Sequence, residues 1–194
     1  MPKPIIVAVS CLLFIVVPAV AQQTSHSNTI SVFVSDVSLS GSSRSGTHFD
    51  AAYGAELSHM FSDRLSAEVS VTSQRGRQSY TIFNTTAPPV TYRYSETLYP
   101  VDASVSWHFL TDGRWKPYLG AGVRYVSNTF TTYAPTGNSR FTENTIGPVI
   151  SGGVTYQFRP NLGLRFEAKK TLYGNASTLG HTSLSGSVGL SFRF

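Results

Sequence analysis

The sequence predicts an all-β fold: an eight-stranded antiparallel up-and-down transmembrane β-barrel, with short turns on the periplasmic side and longer loops on the extracellular side. Three observations predict it. The chain opens on an export leader, yet contains no later apolar run long enough for a membrane helix. Beyond the leader, β-rich segments of about ten residues alternate apolar and polar side chains with a period of two. Short links between these segments alternate with long ones, as in an even-stranded barrel with a turn end and a loop end.

Residues 1–21 read as a signal peptide and 22–194 as one barrel domain. Lys3 supplies the positive charge, Ile5 to Val17 the apolar run, and Ala19-Val20-Ala21 the small-residue cleavage site. Cys11 is the chain's one cysteine and lies inside the apolar run, with more apolar sequence after it. That position does not suit a lipoprotein anchor, and a single cysteine excludes a disulfide framework. The 194 residues have room for one domain, and 13% of them are charged, against roughly 25% in soluble domains. The net charge of +5 is small and scattered, which argues against nucleic acid as a partner.

The first segment, near Asn28–Val37, has Ile30, Val32 and Val34 in phase, although Phe33 and Val37 oppose them. The second, His48–Met60, sets Phe49, Ala51, Tyr53, Ala55 and Leu57 against Asp50, Gly54, Glu56 and Ser58. The third, Leu65–Gln74, sets Leu65, Ala67, Val69 and Val71 against Ser66, Glu68, Ser70 and Thr72. The fourth runs to Phe109, with Tyr99, Val101, Ala103, Val105 and Trp107 against Asp102, Ser104, Ser106 and His108. The fifth sets Leu119, Ala121, Val123 and Tyr125 against Gly120, Gly122 and Arg124. The sixth sets Ile146, Ile150, Val154, Tyr156 and Phe158 against Thr145, Ser151, Gly153, Thr155 and Gln157. The seventh sets Leu162, Leu164, Phe166 and Ala168 against Gly163, Arg165, Glu167 and Lys169. The eighth, SGSVGLSFRF, sets Val188, Leu190, Phe192 and Phe194 against Ser187, Gly189, Ser191 and Arg193. The links FSDR, LTDGRWK and FRPN are short; the one around Arg75–Arg93 is the longest.

Alternation does not say which face is outside, since a soluble barrel turns its apolar face inward. The polar parity carries Gly and Ser with four acids (Glu56, Glu68, Asp102, Glu167) and four bases (Arg124, Arg165, Lys169, Arg193). Those charges cancel, as a closed interior with little water requires. Pairing Phe109 with Pro117 across the turn also sets Asp102 directly opposite Arg124. On a lipid-facing wall each Arg or Lys would cost about 2–4 kcal/mol at mid-membrane. Aromatics near the short turns (Phe61, Trp107, Phe109, Trp115, Tyr118, Phe158, Phe192, Phe194) form an expected interfacial girdle. The apolar face therefore belongs outside. Lys170 has outward parity near the far interface, where its side chain can snorkel. Pro100 and Pro148 interrupt closed-barrel strands, and a bulge is expected at each.

The whole span 22–194 resembles the small eight-stranded outer-membrane β-barrels, the OmpA/OmpX/OmpW-like group. Trp115-Lys116-Pro117-Tyr118-Leu119-Gly120-Ala121-Gly122-Val123-Arg124-Tyr125 resembles their PYxGxGxxY strand. The last segment resembles their C-terminal signal for the barrel-assembly machinery. By that resemblance Phe194 is the recognition residue, supported by Phe192, Leu190 and Val188, and the location is the bacterial cell outer membrane. Nothing in the chain resembles the peptidoglycan-binding domain that follows some of these barrels.

The expected interior network of Glu56, Glu68, Asp102, Arg124, Arg165, Glu167 and Arg193, with Lys169, plugs and stiffens the barrel, and eight strands are too few for an open diffusion channel. His181-Thr182-Ser183 resembles the His-x-Ser of lipid A deacylases, but points inward and lacks an acid to hold the base. No enzyme activity, cofactor or metal site is expected; the histidines are scattered. Arg44, Arg75, Arg77, Arg93 and Arg140 lie in the long links and suit lipopolysaccharide phosphates. Tyr80, Phe83, Tyr92 and Tyr94 there suit an adhesive surface or loop packing. Two function classes stand: a monomeric structural or surface-interaction protein in contact with outer-membrane lipid and lipopolysaccharide, or a narrow OmpW-like channel for small, hydrophobic molecules. A lipid A–modifying enzyme is a remote third.

Overall fold

The computed structural model describes residues 27–40, 48–82, 89–110, 112–134, 137–173 and 182–194. The expected signal peptide, Arg44, Phe83 and His181 lie outside them. The described strands are β1 (Asn28–Ser40), β2 (His48–Phe49), β3 (Ala52–Ser62), β4 (Leu65–Ile82), β5 (Val90–His108), β6 (Trp115–Ala134), β7 (Gly137–Arg159), β8 (Leu162–Leu172) and β9 (Thr182–Arg193). Every pairing is antiparallel. β2 and β3 are two pieces of one stave, so nine segments make eight staves. β1 pairs with both β3 and β9, while β4 pairs with both β3 and β5, which closes the ring.

Closure answers the main problem a sheet faces in lipid, where an unpaired edge strand has no water to satisfy its N–H and C=O groups. Following pairings round the ring from Thr29 leads through Ser58, Glu68, Ser104, Gly122, Val149, Thr171 and Ser183 to Leu39, ten residues farther along β1. Eight staves with a shear of ten tilt by about 40° and give a backbone radius of about 8 Å, taking ~4.8 Å between strands and ~3.3 Å per residue. An interior of that width is filled by its own side chains.

The alternating residues sort as the pattern demands. Ile30, Val32, Val69, Val105, Val123, Ile150, Phe166, Leu190 and their in-phase neighbours are exposed on the outer wall, whereas Glu56, Glu68, Ser70, Asp102, Ser106, Arg124 and Lys169 are buried inside. Phe33 breaks the apolar-out rule by pointing inward. Its ring and Cβ occupy the space that side chains at Gly54 and Gly189 would otherwise fill.

Four expectations are corrected. Neither proline makes a bulge. The β5–β6 and β6–β7 ladders run through Pro100 and Pro148 without change of register. The β4–β5 ladder omits Thr72 and Ser73 opposite Pro100 and Tyr99 but resumes in the same register, and the β7–β8 ladder stops at Val149, beside Pro148. Each proline therefore sits where the neighbouring ladder lapses, so its missing N–H removes no bond that the ladder makes. The real irregularities lie at Met60/Ser62 and Gln157/Arg159, by short turns, and at Asp50–Ala51, where the second stave carries one extra residue against β4. The longest link is largely not loop: β4 and β5 continue to Ile82 and Val90, and β6 and β7 to Ala134 and Gly137. These strands of 18, 19, 20 and 23 residues exceed the ~9–11 needed to span, so a four-stranded wall stands beyond the apolar band. Tyr118, expected in the girdle, is buried at 2% exposure. Its even parity on β6 is that of Arg124, and parity outweighs closeness to a turn.

Candidate functional site

The lumen is filled at two levels. The lower level is ionic. Asp102 on β5 faces Arg124 on β6 in the ladder, and the pair is bidentate at 2.6 and 2.8 Å. β8 presents Arg165, Glu167 and Lys169 on successive inward positions. The Arg165 guanidinium crosses to Glu56 on β3 (2.5 Å) and Glu68 on β4 (2.9 Å), and reaches Glu167 at 3.2 Å. The Lys169 ammonium reaches Asp102 (3.2 Å), Glu167 (3.4 Å) and Glu56 (3.8 Å). Arg165 also lies 4.4 Å from the ring centroid of Tyr118, a cation–π contact, while its Nε has no hydrogen-bond partner among the described residues. Side chains from β3, β4, β5, β6 and β8 are thereby tied across the bore.

Six of the seven network residues, with Lys169, thus share one cluster. Arg193 does not. It is half-buried at the short-turn end, where it lines a polar vestibule with Lys116, His108 and Asp63. The cluster's four carboxylates therefore meet three cations. Glu56, Glu68 and Glu167 offer carboxylate oxygens within 4.8 Å of one another, close enough to share a metal ion. The Arg165 and Lys169 charges already sit among them, so this is an ion-pair core rather than a vacant cation site.

The upper level went unnoticed in the sequence. Leu98, Val126 and Tyr173 form a buried apolar cluster. Beside it Asn128 Nδ2 donates to Glu96 Oε1 at 2.6 Å, and Gln74 Nε2 donates to the Asp50 carbonyl at 3.3 Å. Tyr173 Oη and Ser183 Oγ are hydrogen-bonded at 3.2 Å. The signal was available: Gln74 closes the third segment on its inward parity, and positions 96, 98, 126 and 128 continue that parity beyond the residues of the fourth and fifth. Ser183 thus packs in the wall beside a tyrosine hydroxyl. His108 is hydrogen-bonded to Ser66 and His59 to Asn28, both at 2.9 Å.

Outside, Arg75, Arg77, Arg93 and Arg140 are exposed. They stand four to six residues beyond Val71, Tyr99 and Ile146, the last outward apolar residues of their strands, or ~10–15 Å higher at ~2.5 Å of height per tilted residue. Arg77, Ser95, Thr131 and Arg140 share one row of the wall; Ser79, Arg93 and Tyr133 share the next. Tyr92 and Tyr94 have inward parity and are half-buried, and the side chain of Tyr80 is outside what is described. Phe130 and Phe141 stack at 6.4 Å on the same inner face, above the lumen. At the opposite end Phe192 and Phe194 stack at 6.4 Å on the outer wall, with Val188 and Leu190 above them.

Solved structures share this architecture. The N-terminal β-barrel domain of Pseudomonas aeruginosa OprF superposes with a TM-score of 0.56 at 16% identity, over 87% of this chain and 97% of that one. Neisserial surface protein A gives 0.55 at 22% identity, over 88% and 98%. Ail, the attachment invasion locus protein of Yersinia pestis, gives 0.56 at 12% identity, over 87% and 97%. No curated protein sequence matches the chain. The family described as outer membrane protein beta-barrel domain matches residues 7–194. With a closed eight-stave ring, an apolar outer wall and an ionic core, the chain belongs to that family and is an integral outer-membrane β-barrel.

Proposed function

We propose that this barrel is sealed and acts through its outer surface, as a structural and surface-interaction protein of the envelope. The observation that supports this reading is the doubly filled lumen: the ionic cluster around Arg165 lies beneath the apolar cluster of Leu98, Val126 and Tyr173. A solute would have to part both. The surface roles fall to the wall of β4–β7. Its outward arginines stand at the height of lipid A and core phosphates, which a guanidinium fork binds well. Its inner face offers Phe130 and Phe141 to partners outside the cell. Ail, a barrel of this fold, was crystallised with the heparin analogue sucrose octasulfate, an example of such a scaffold holding a polyanion. Export by a cleaved leader and delivery through the barrel-assembly machinery, with Phe194 as recognition residue, complete the proposal.

The test has two parts. Refolded protein in a planar bilayer should leave the membrane sealed under voltage; discrete openings blocked by a small solute would favour the narrow-channel reading instead. An Arg75→Ala/Arg77→Ala variant should bind lipopolysaccharide several-fold more weakly, with a shallower salt dependence. Unchanged association would remove the phosphate contact from the proposal.

A further inference from the structure

Two charges interrupt the apolar outer wall. Among the described residues, Asp36 on β1 and Lys170 on β8 are the Asp, Glu, Lys or Arg side chains with outward parity inside the apolar band, and both are exposed. Asp36 pairs with Gly186 of β9, Gly186 with Ala168 of β8, and Ala168 with Gly152 of β7. Lys170 lies two residues beyond Ala168, opposite Leu184.

The barrel geometry puts the two charges at one depth. Two inter-strand steps raise Asp36 about 6 Å above Ala168, and two residues along β8 raise Lys170 about 5 Å. The same geometry separates them by about 12 Å round the wall, too far for an ion pair within one chain. Between them the wall is recessed: a Cβ built on Gly186 meets nothing within 4 Å, and Gly152 and Ala168 extend the same small-residue row. This depression is bordered by Val34, Val154, Phe166 and Val188.

We propose that the β8–β9–β1 face is a homodimer interface, in which Asp36 of each copy pairs with Lys170 of the partner subunit. A twofold axis along the membrane normal, running near β9 between Gly186 and Leu184, exchanges the two positions because their depths match. One rotation then forms two ion pairs, as an isologous contact requires. Lipid-facing walls gain nothing from burying apolar surface against each other, since lipid tails are equally apolar; close backbone approach and polar contacts have to hold them. The recessed glycine row supplies the first and the paired charges the second. The monomer expected from the sequence leaves both charges unpaired on the lipid-facing wall, near the far interface, where Lys170 can snorkel and the cost of each charge is smaller than at mid-membrane.

The experiment uses the full chain, carrying Cys11→Ser, in the outer membranes of an expressing bacterium. A Gly186→Cys variant oxidised in the intact membrane should give a covalent dimer, while Val105→Cys on the opposite wall should not. Adding Asp36→Lys or Lys170→Asp should lower the Gly186 cross-link several-fold, and the two together should restore it. Heat-modifiable gel mobility checks that each variant is folded; if a reversal fails to fold, Asp36→Asn and Lys170→Gln each have to lower the cross-link in its place. Equal cross-linking at Gly186 and Val105 would overturn the proposal. So would cross-linking indifferent to the charges, which is what a groove lined by lipid gives.

Discussion

Arg165→Met is the sharpest test of the ionic core. The guanidinium lies within 3.2 Å of three carboxylates. Its loss leaves Glu56 and Glu167 with Lys169 at 3.8 and 3.4 Å, and leaves Glu68 with the Ser66 hydroxyl at 3.3 Å and, among the described residues, no cation within bonding distance. Removing one partner from a buried charge cluster costs about 3–5 kcal/mol, largely because the other charges stay behind. That is a large share of a typical ~5–15 kcal/mol stability. Met keeps most of the side-chain volume, so the packing loss stays small. Urea unfolding of protein refolded in lipid vesicles, followed by tryptophan fluorescence and heat-modifiable mobility, is the assay. With a slope of ~2 kcal/mol per molar urea, the midpoint should fall by about 1.5–2.5 M. Glu56→Gln and Glu68→Gln added to Arg165→Met should recover much of the loss, since neutral amides impose less of the buried-charge penalty. A midpoint shift below about 0.5 M for Arg165→Met would mean that water, not Arg165, screens these carboxylates, and the account of a dry core would fail.

Three further outcomes follow from the same geometry. A Cβ at Gly54 collides with the Phe33 ring and lies 2.7 Å from the Val71 carbonyl, while one at Gly186 meets nothing; Gly54→Ala should lose about 1–3 kcal/mol in urea unfolding and Gly186→Ala under ~0.5. The Tyr118 hydroxyl has no hydrogen-bond partner among the described residues, yet the ring lies against Arg165. Tyr118→Phe should therefore match the parent within ~0.5 kcal/mol, and Tyr118→Ala should lose ~3–5 by thermal gel shift. Spin labels at Val69 and Val105, both on the exposed wall, should be relaxed by oxygen dissolved in lipid, whereas a label at Ser104 should not; reversed accessibility would invert the barrel.

Alternation read the wall well because a one-residue slip turns every side chain to the wrong face, and lipid punishes that at each position. The link LTDGRWK is short enough to set the register of its two strands. The turn length alone therefore sets Asp102 opposite Arg124. Elsewhere the sequence was silent for physical reasons. Past Val71 and Tyr99 the outward positions turn to Ser, Thr and Arg while the inward ones mix apolar and polar residues, so Arg75–Ile82 and Val90–Leu98 lose their contrast and look like loop. The extra residue at Asp50–Ala51 leaves no trace in hydropathy. Tyr118 misled because an aromatic by a turn fits a girdle as well as a core. The contacts of Arg165 with Glu56 and Glu68 span the bore between non-adjacent staves, and parity alone does not give azimuth.

β1 and β9 lie far apart along the chain, yet their twelve-residue ladder closes the ring. Until that ladder zips, each has an unsatisfied border that acyl chains do not solvate. An arc of five or six staves is therefore no resting point within the bilayer. Insertion and closure have to proceed together, with the free borders shielded until the two meet.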